Sequence, residues 1–512
     1  MATISYAAYA ELRREALASM QEVRNFIDGR FTEGPSGQTF ESLDPATNEP
    51  IATVYSAGQE GVELAVAAAR RAFDEGPWPR LPAAERARAL RRIAELIRQR
   101  ADEIAVLEST DTGIPIKQIR EAQVLRAADN FDFFAEMVTR ITGETYPVDD
   151  LFLNYTVRRP VGVAALITPW NTPFMLETWK VAPCLAAGNT CVLKPASWSP
   201  LSAYKLAEII QEADLPPGVF NLVYGSGETV GEALAAHPGV NLVSFTGETT
   251  TGKRLMRVGA DTLKRFSMEL GGKSPVIVFA DADLERALDA TVFGVFSLNG
   301  ERCTAGSRLL VERSIYDDFV AQLVERVRAI RVGDPLDPAT EVGPLIHKRH
   351  LERALGYLEV GQREGARLAA GGRRPDDPAL ARGNYLLPTL FVDARPDMRI
   401  AQEEIFGPVL TVIPFSDEEE ALRIANGVRY GLAAYLWTSD VTRATRLAPA
   451  IESGMIWVNS QNVRDLRTPF GGMKESGIGR EGGHYSFEFY TEVKTIHVAL
   501  GRHRIPKMGA GV

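Results

Sequence analysis

Apolar residues recur in two different rhythms along this chain. Between residues 62 and 138 they return every three or four positions, as a helix with one buried face requires. Three helices are predicted there: an alanine-rich one over 62–73, a second over 83–106, and a third over 116–138. The second carries Leu90, Ile93, Leu96 and Ile97 on one side. From residue 161 short continuous apolar runs take over. Strands are predicted at 161–167, 190–193, 219–224 and 240–245, separated by helices at 201–213, 230–236 and 252–258. Strict alternation of strand and helix implies a parallel sheet joined by right-handed crossovers. Beyond Pro275 the alternation starts afresh, with strands at 276–279 and 307–311, helices at 284–296 and 315–330, and a late strand at 455–458. Ahead of all this, 26–54 reads as small strands between turns, and 5–20 as a short solvated helix. The tail 489–498 reads as an extended strand detached from the glycine-rich loop before it.

Composition narrows the picture. The 512 residues are 45% hydrophobic and 24% charged, with 57 Lys plus Arg against 66 Asp plus Glu, a formal charge of −9. No cationic surplus exists to neutralise a nucleic-acid backbone. The arginines along 83–106 therefore read as a solvated face opposite an apolar stripe. Three cysteines cannot frame a disulfide scaffold in so long a chain, which fits free thiols in a reducing compartment. The first residues lack the basic and apolar regions of a leader, and no stretch reaches 18 uninterrupted apolar residues. A cytoplasmic protein is expected.

Candidate chemistry is concentrated in a few segments. Gly225-Ser-Gly227-Glu-Thr-Val-Gly231 follows a strand and opens a helix, the setting in which backbone N–H groups can meet a pyrophosphate. Its spacing carries one residue too many for the usual dinucleotide fingerprint, so a plain strand–helix turn is an equal reading. Cys303 lies between glycines and polar residues, as an accessible nucleophile would, whereas Cys184 and Cys191 lie among apolar neighbours. Glu269 precedes two glycines at the end of an apolar run, where it reads either as a base of raised pKa or as a surface charge. His347 and His350 read as part of an exposed helix, and no metal motif is present.

Six segments then occur in order: Ile167-Thr-Pro-Trp-Asn171, Phe245-Thr-Gly247, Glu269-Leu-Gly-Gly-Lys-Ser-Pro275, Cys303, Glu403-Glu-Ile-Phe-Gly-Pro408 and Pro469-Phe-Gly-Gly-Met-Lys474. Together they resemble the NAD(P)-dependent aldehyde dehydrogenase superfamily over roughly residues 25–500. The resemblance implies an α/β fold with two Rossmann-type parallel-sheet domains and a small β oligomerisation element. Residues 1–140 and 161–272 would form the NAD-binding domain and 273–475 the catalytic domain. Residues 141–160 and 486–500 would form the oligomerisation element of a homodimer or homotetramer. It further implies Cys303 as nucleophile, Asn171 as oxyanion donor and Glu269 as the base that activates water. For the cofactor it implies Thr168, Pro169, Trp170, Lys194, Ser197, Gly227, Gly231, Phe245, Thr246, Gly247, Glu248, Leu270, Glu404 and Phe406.

Two of these depart from the family pattern. Ser197 stands where NAD-preferring members usually carry a glutamate that repels a 2′-phosphate, so NAD is expected with NADP tolerated. Glu248 stands where Ser or Gly is common near the pyrophosphate. Segments 145–150, 296–308 and 461–467, with the Ile505-Pro-Lys ending, resemble the branch that oxidises 5-carboxymethyl-2-hydroxymuconate semialdehyde and related muconate semialdehydes. An anionic substrate is then implied, held by Arg126 and Arg464, with Arg120 and Arg467 as further candidates and Trp179 and Phe470 as pocket walls. The rival expectations are a broad-specificity dehydrogenase for aromatic or aliphatic aldehydes, a CoA-acylating relative and a non-catalytic homologue. Glu269 argues against the CoA-acylating relative. The joint presence of Cys303, Asn171 and Glu269 argues against the non-catalytic one.

Overall fold

The computed structural model describes residues 5–509; the first four residues, on which the expectation of no leader partly rests, lie outside them. Two large sheets organise the chain. The first has eight strands, in the order Gly477–Ile478, Arg265–Glu269, Leu242–Thr246, Val163–Ile167, Thr190–Lys194, Phe220–Leu222, Asn25–Ile27 and Arg30–Thr32. Its five central strands run parallel, and its outer strands pair antiparallel. Val163–Ile167 and Thr190–Lys194 are buried at every position, because helices cover both faces of the sheet. Strand order reverses between Val163–Ile167 and Leu242–Thr246, and ligands of open parallel sheets enter such a crevice at the carboxyl ends of the strands. The second sheet has seven strands and is parallel apart from Arg367–Ala370 at one edge.

The linker between the sheets is short. Strand Arg265–Glu269 of the first sheet leads directly, through the Leu270–Ser274 turn, into strand Pro275–Val278 of the second. Arg308 locks that crossing. Its buried guanidinium donates to the Lys273 carbonyl and to the Ile424 and Ala425 carbonyls, each at 2.8 Å, so one side chain ties the linker to the end of helix Glu418–Asn426.

A third, small sheet joins Thr145–Asp149, Phe152–Pro160 and Thr491–Ala499, with Thr491 opposite Pro160 and Ala499 opposite Phe152. Residues 483–490, just before the last strand, are helical rather than extended.

Two expectations about helices need correction. The stretch 83–106 is two helices, Ala83–Gln99 and Ala101–Thr112, parted at Arg100, whose backbone leaves the helical region. Helix Tyr6–Ala18 is not simply solvated. Tyr9 and Ala16 are buried in the core of the first domain, and Arg13 pairs with Asp44. An apolar pair at that spacing was enough to dock it. The arginine-rich face of Ala83–Gln99 is solvated as read, with Arg92 and Arg98 paired to Glu212, Asp129 and Asp132.

Arg308→Met should leave the Lys273 and Ala425 carbonyls without donors and the Ile424 carbonyl with only the Gly427 amide. A loss of about 3 kcal/mol or more is expected, read as a lower apparent unfolding temperature with the circular dichroism of the fold retained at room temperature.

Candidate active site

Cys303 ends a tightly wound turn. Leu298, Asn299 and Gly300 all have positive φ, at 54°, 58° and 72°. Asparagine tolerates that region better than most residues. Here its side chain also holds the turn, donating to the Gly113 and Pro344 carbonyls at 3.0 and 2.9 Å and accepting from the Gly343 amide at 2.7 Å. At Gly300 a Cβ would stand 2.3 Å from the Gly407 carbonyl carbon, so the chain there packs backbone on backbone. Neighbouring Glu301 is buried and accepts from the Ile346 amide at 3.0 Å. Its carbonyl accepts from the Asn171 amide at 2.7 Å, which ties the residues after strand Val163–Ile167 to the nucleophile turn. None of this cross-linking was visible in the sequence, although the Asn299-Gly300 pair is a turn signal.

Two cavities meet at Cys303. One, of about 450 Å³, includes Arg126, Trp179, Arg464 and Phe470 in its wall. The other, of about 340 Å³, opens at the carboxyl ends of the first sheet and is bordered by Pro169, Trp170, Gly247, Glu248, Glu404 and Phe406. Asn171, Thr246, Glu269, Leu270 and Cys303 belong to both. The sequence-derived catalytic trio therefore lies where the cavities join.

Electrostatics at this junction are those of a dry site. Burial raises the Glu269 carboxyl far above the usual range, nearby Glu481 adds to it, and neither Glu269 oxygen has a hydrogen-bond partner. Burial, with Glu404 and Glu269 close by, pushes the Cys303 thiol up to about 12. Glu481 was not anticipated. It accepts from Lys180 Nζ at 2.8 Å and from Trp179 Nε1 at 2.7 Å, all three residues buried. Glu404 accepts from the Gly272 amide at 2.9 Å, and burial raises it to about 7. A Cβ at Gly271 would meet its carboxylate at 2.2 Å, so glycine is what admits Glu404 to this position.

Thr168, Lys194, Ser197, Gly227, Gly231 and Phe245 lie along the same sheet end, outside the 340 Å³ cavity wall. Thr168 donates its amide to the Lys194 carbonyl at 3.1 Å. Burial lowers the Lys194 ammonium to about 8, and its Nζ donates to the Pro195 carbonyl at 2.9 Å. Ser197 is turned toward the loop that follows the next strand, its hydroxyl donating to the Gly225 carbonyl at 2.9 Å. Gly227 and Gly231 bound a single wide turn that runs into the short helix Glu232–Ala236. Phe245 is buried near the end of its strand, and Glu248 is exposed ahead of helix Thr249–Gly259.

The histidine reading is corrected. His350 is buried and bonds the Phe406 carbonyl through Nε2 at 2.6 Å, with Trp170 edge-on at 5.1 Å, and burial lowers its pKa to about 4. His347 stacks on Trp198 at 4.6 Å and caps helix Lys348–Arg363. Charged sequence neighbours hid the fact that one face of this helix closes the cofactor-side cavity.

Of the four arginines, the structure brings two together. Arg464 lies over the Phe470 ring at 4.0 Å and the Trp179 ring at 5.6 Å, and Arg126 lies over the same Trp179 at 5.7 Å. Arg126 donates to Asn130 at 3.2 Å. Burial, then repulsion from Arg126, lowers Arg464 to about 10. Arg120 and Arg467 are not in the cavity wall. Arg120 bridges to Asp102 across the helix pair at 2.5 Å, and Arg467 folds onto Asp465 at the surface. Among the described residues no cluster of His, Cys, Asp and Glu could hold a metal ion, and no helix is long and apolar enough to cross a membrane.

Cys303 and the buried Glu269 thus line one junction at the carboxyl end of a Rossmann-type sheet, the setting of an oxidoreductase. Residues 31–496 match the aldehyde dehydrogenase family, and the chain belongs to it. It is 53% identical over 472 residues to the 5-carboxymethyl-2-hydroxymuconate semialdehyde dehydrogenase of Escherichia coli, covering 91% of this chain and 99% of that one. Its fold is similar to that of HpcC from Thermus thermophilus, at a TM-score of 0.96 and 59% identity, covering 99% of this chain and 98% of the other. The NAD+ complex of a Bacillus cereus aldehyde dehydrogenase is similar at a TM-score of 0.93 and 41% identity, covering 96% and 99%.

Alkylation by iodoacetamide should report the thiol chemistry of the resting site. Cys303 should be the thiol modified in the folded protein, at a rate still rising above about pH 9, and Cys184 and Cys191 should stay unmodified. A rate that levels off near neutral pH would mean the thiol is already ionised.

Proposed function

We propose that this protein oxidises an anionic muconate-type semialdehyde to the carboxylic acid with NAD, in the cytoplasm and as a homodimer or homotetramer. The observation that carries the substrate reading is the pair of guanidiniums, Arg126 and Arg464, packed on one tryptophan in the cavity that ends at Cys303. Resemblance to the 5-carboxymethyl-2-hydroxymuconate semialdehyde enzyme supports the same reading. A guanidinium fork grips a carboxylate through two parallel hydrogen bonds, which fixes one end of a substrate and aims the other. Neutral aldehydes give such a pair nothing to hold.

The crevice fits NAD on its own evidence. The Thr168 and Thr246 hydroxyls are buried at the strand ends without partners, aromatic rings of Trp170 and Phe406 form an apolar wall, and helix Thr249–Gly259 begins at the rim. Glu404 and Lys194 would take ribose hydroxyls, while Phe406 would back the nicotinamide. Ser197 supplies no carboxylate to exclude a 2′-phosphate, so NADP is tolerated. Bound NAD supplies the hydride acceptor.

The chain's own residues do the rest. Cys303 gives its proton to solvent water and its sulfur adds to the aldehyde carbon, because a hydride leaves far more easily from that tetrahedral adduct than from a bare aldehyde. The Asn171 amide and the Cys303 N–H meet the oxygen that becomes negative, a contribution of roughly 3 kcal/mol for one such donor. After the hydride has gone, a thioester remains on Cys303. Glu269, once ionised, takes a proton from water as the water attacks the thioester carbon, and the acid leaves with the thiol restored. With its raised pKa, Glu269 ionises at a higher pH than an exposed carboxylate, so turnover increases with pH as it ionises. Self-association is supported by the small sheet, where Thr145–Asp149 is exposed along its length beside exposed Leu151, Leu153, Val493 and Val498.

Steady-state kinetics with 2-hydroxymuconate semialdehyde and benzaldehyde test the substrate reading. Arg464→Ala and Arg126→Ala should each raise KM for the muconate-type substrate about tenfold or more, and far less for benzaldehyde. Equal losses on both, or a wild type that prefers benzaldehyde, would refute the anionic substrate and leave the dehydrogenase chemistry standing.

A further inference from the structure

The charge around the 450 Å³ cavity includes a surplus that one carboxylate does not use. Its wall holds three arginines, Arg126, Arg302 and Arg464, and two carboxylates, Glu269 and Glu481. Glu481 is already engaged by Lys180 and Trp179. Glu269 makes no hydrogen bond, and burial raises its pKa far above the usual carboxylate range. Three guanidiniums therefore face one cavity, and among the described residues none of them forms an ion pair with a carboxylate of its wall.

The three are not one cluster. Arg126 and Arg464 share the Trp179 ring, whereas Arg302 leans on Phe293 at 5.7 Å. Arg302 stands where the cavity opens into a second one of about 610 Å³, and it lines both. Its Nη1 is shut off from solvent and has no hydrogen-bond partner among the described residues. The second cavity wall holds three carboxylates, Glu121, Asp289 and Glu341, and none of them pairs with Arg302: Asp289 is taken by Arg326 at 2.6 Å, and Glu341 lies beside Arg331 at 3.7 Å. A buried donor without an acceptor is costly, and a ligand oxygen placed there would remove that cost.

We propose that Arg302 is a second carboxylate anchor, one that makes the site prefer semialdehydes bearing two carboxylates over those bearing one. This rests on the reading of the cavity as an anionic semialdehyde site and adds to it where the second charge lies. Arg302 and Cys303 act on each other electrostatically, and Arg302 packs on Phe293 rather than on the Trp179 ring shared by Arg126 and Arg464. A 5-carboxymethyl group is attached to the carbon that bears the aldehyde, which puts its carboxylate on a short arm beside the reacting carbon. The terminal carboxylate of the same substrate then goes to Arg126 and Arg464. A 2-hydroxymuconate semialdehyde lacks that arm and leaves Arg302 unpaired.

Initial rates on 5-carboxymethyl-2-hydroxymuconate semialdehyde and 2-hydroxymuconate semialdehyde, with wild type and Arg302→Met, test this. Wild type should favour the two-carboxylate substrate in kcat/KM by about tenfold or more, and Arg302→Met should remove most of that preference through KM. Arg302→Lys, which keeps charge and stem but loses the planar fork, should fall between the two and serves if the Met variant does not fold. An equal loss on both substrates would assign Arg302 to the thiol's electrostatics and overturn the proposal. So would a wild type that handles both alike, an outcome that leaves the anionic-substrate reading intact. Failure to oxidise either substrate would instead refute that reading itself.

Discussion

Burial of Glu269 and Cys303 in one dry crevice is the constraint around which the rest of the site is arranged. Burial raises both groups, and Glu269 raises Cys303 further, so the site disfavours a negative charge on either. A nucleophile and a base that were both ionised side by side in this surrounding would repel strongly. Charge is instead created only when chemistry needs it, and each new charge has a designated receiver. Asn171 lines the junction beside Cys303, and the Lys180–Glu481 pair keeps Glu481 compensated in the same wall.

Holding that arrangement requires a rigid frame, because a sulfur misplaced by even about 1 Å is expensive. The frame is built from crossings between the two large sheets. Asn299 binds three backbone groups from two other segments, Asn171 grips the nucleophile turn from the first sheet, and Arg308 pins the linker that carries Glu269 toward the second. Arginines on the substrate side fit the same logic. They are kept desolvated and free of carboxylate partners, so a carboxylate brought by the substrate meets full-strength donors.

Much of this was legible in the chain. Unbroken apolar runs such as 163–167 and 190–194 are what a doubly covered parallel strand needs, so both α/β sheets followed from pattern alone. The family resemblance followed from six ordered motifs and is matched over residues 31–496. What stayed hidden is long-range. Asn299 contacts residues 186 and 45 positions away, and Lys180 meets Glu481 across 301 positions, distances at which periodicity carries no information. His350 was misread for a related reason: its neighbours in sequence are charged, but its side of the helix faces Trp170 and Phe406. Arg120 and Arg302 show the same limit in opposite directions. One lies near the expected pocket helix yet is bound to Asp102; the other adjoins the nucleophile, and only the fold shows its Nη1 without a partner.

The central claim is that Glu269 acts after the hydride has left, on a thioester held by Cys303. Rapid-mixing kinetics of Glu269→Gln, followed by NADH absorbance, tests it most directly. The account predicts a burst of NADH close to one equivalent per active site, then slow turnover, with the acyl group recoverable on Cys303 by mass spectrometry. A variant that shows no burst, or that turns over at the wild-type rate, would contradict it.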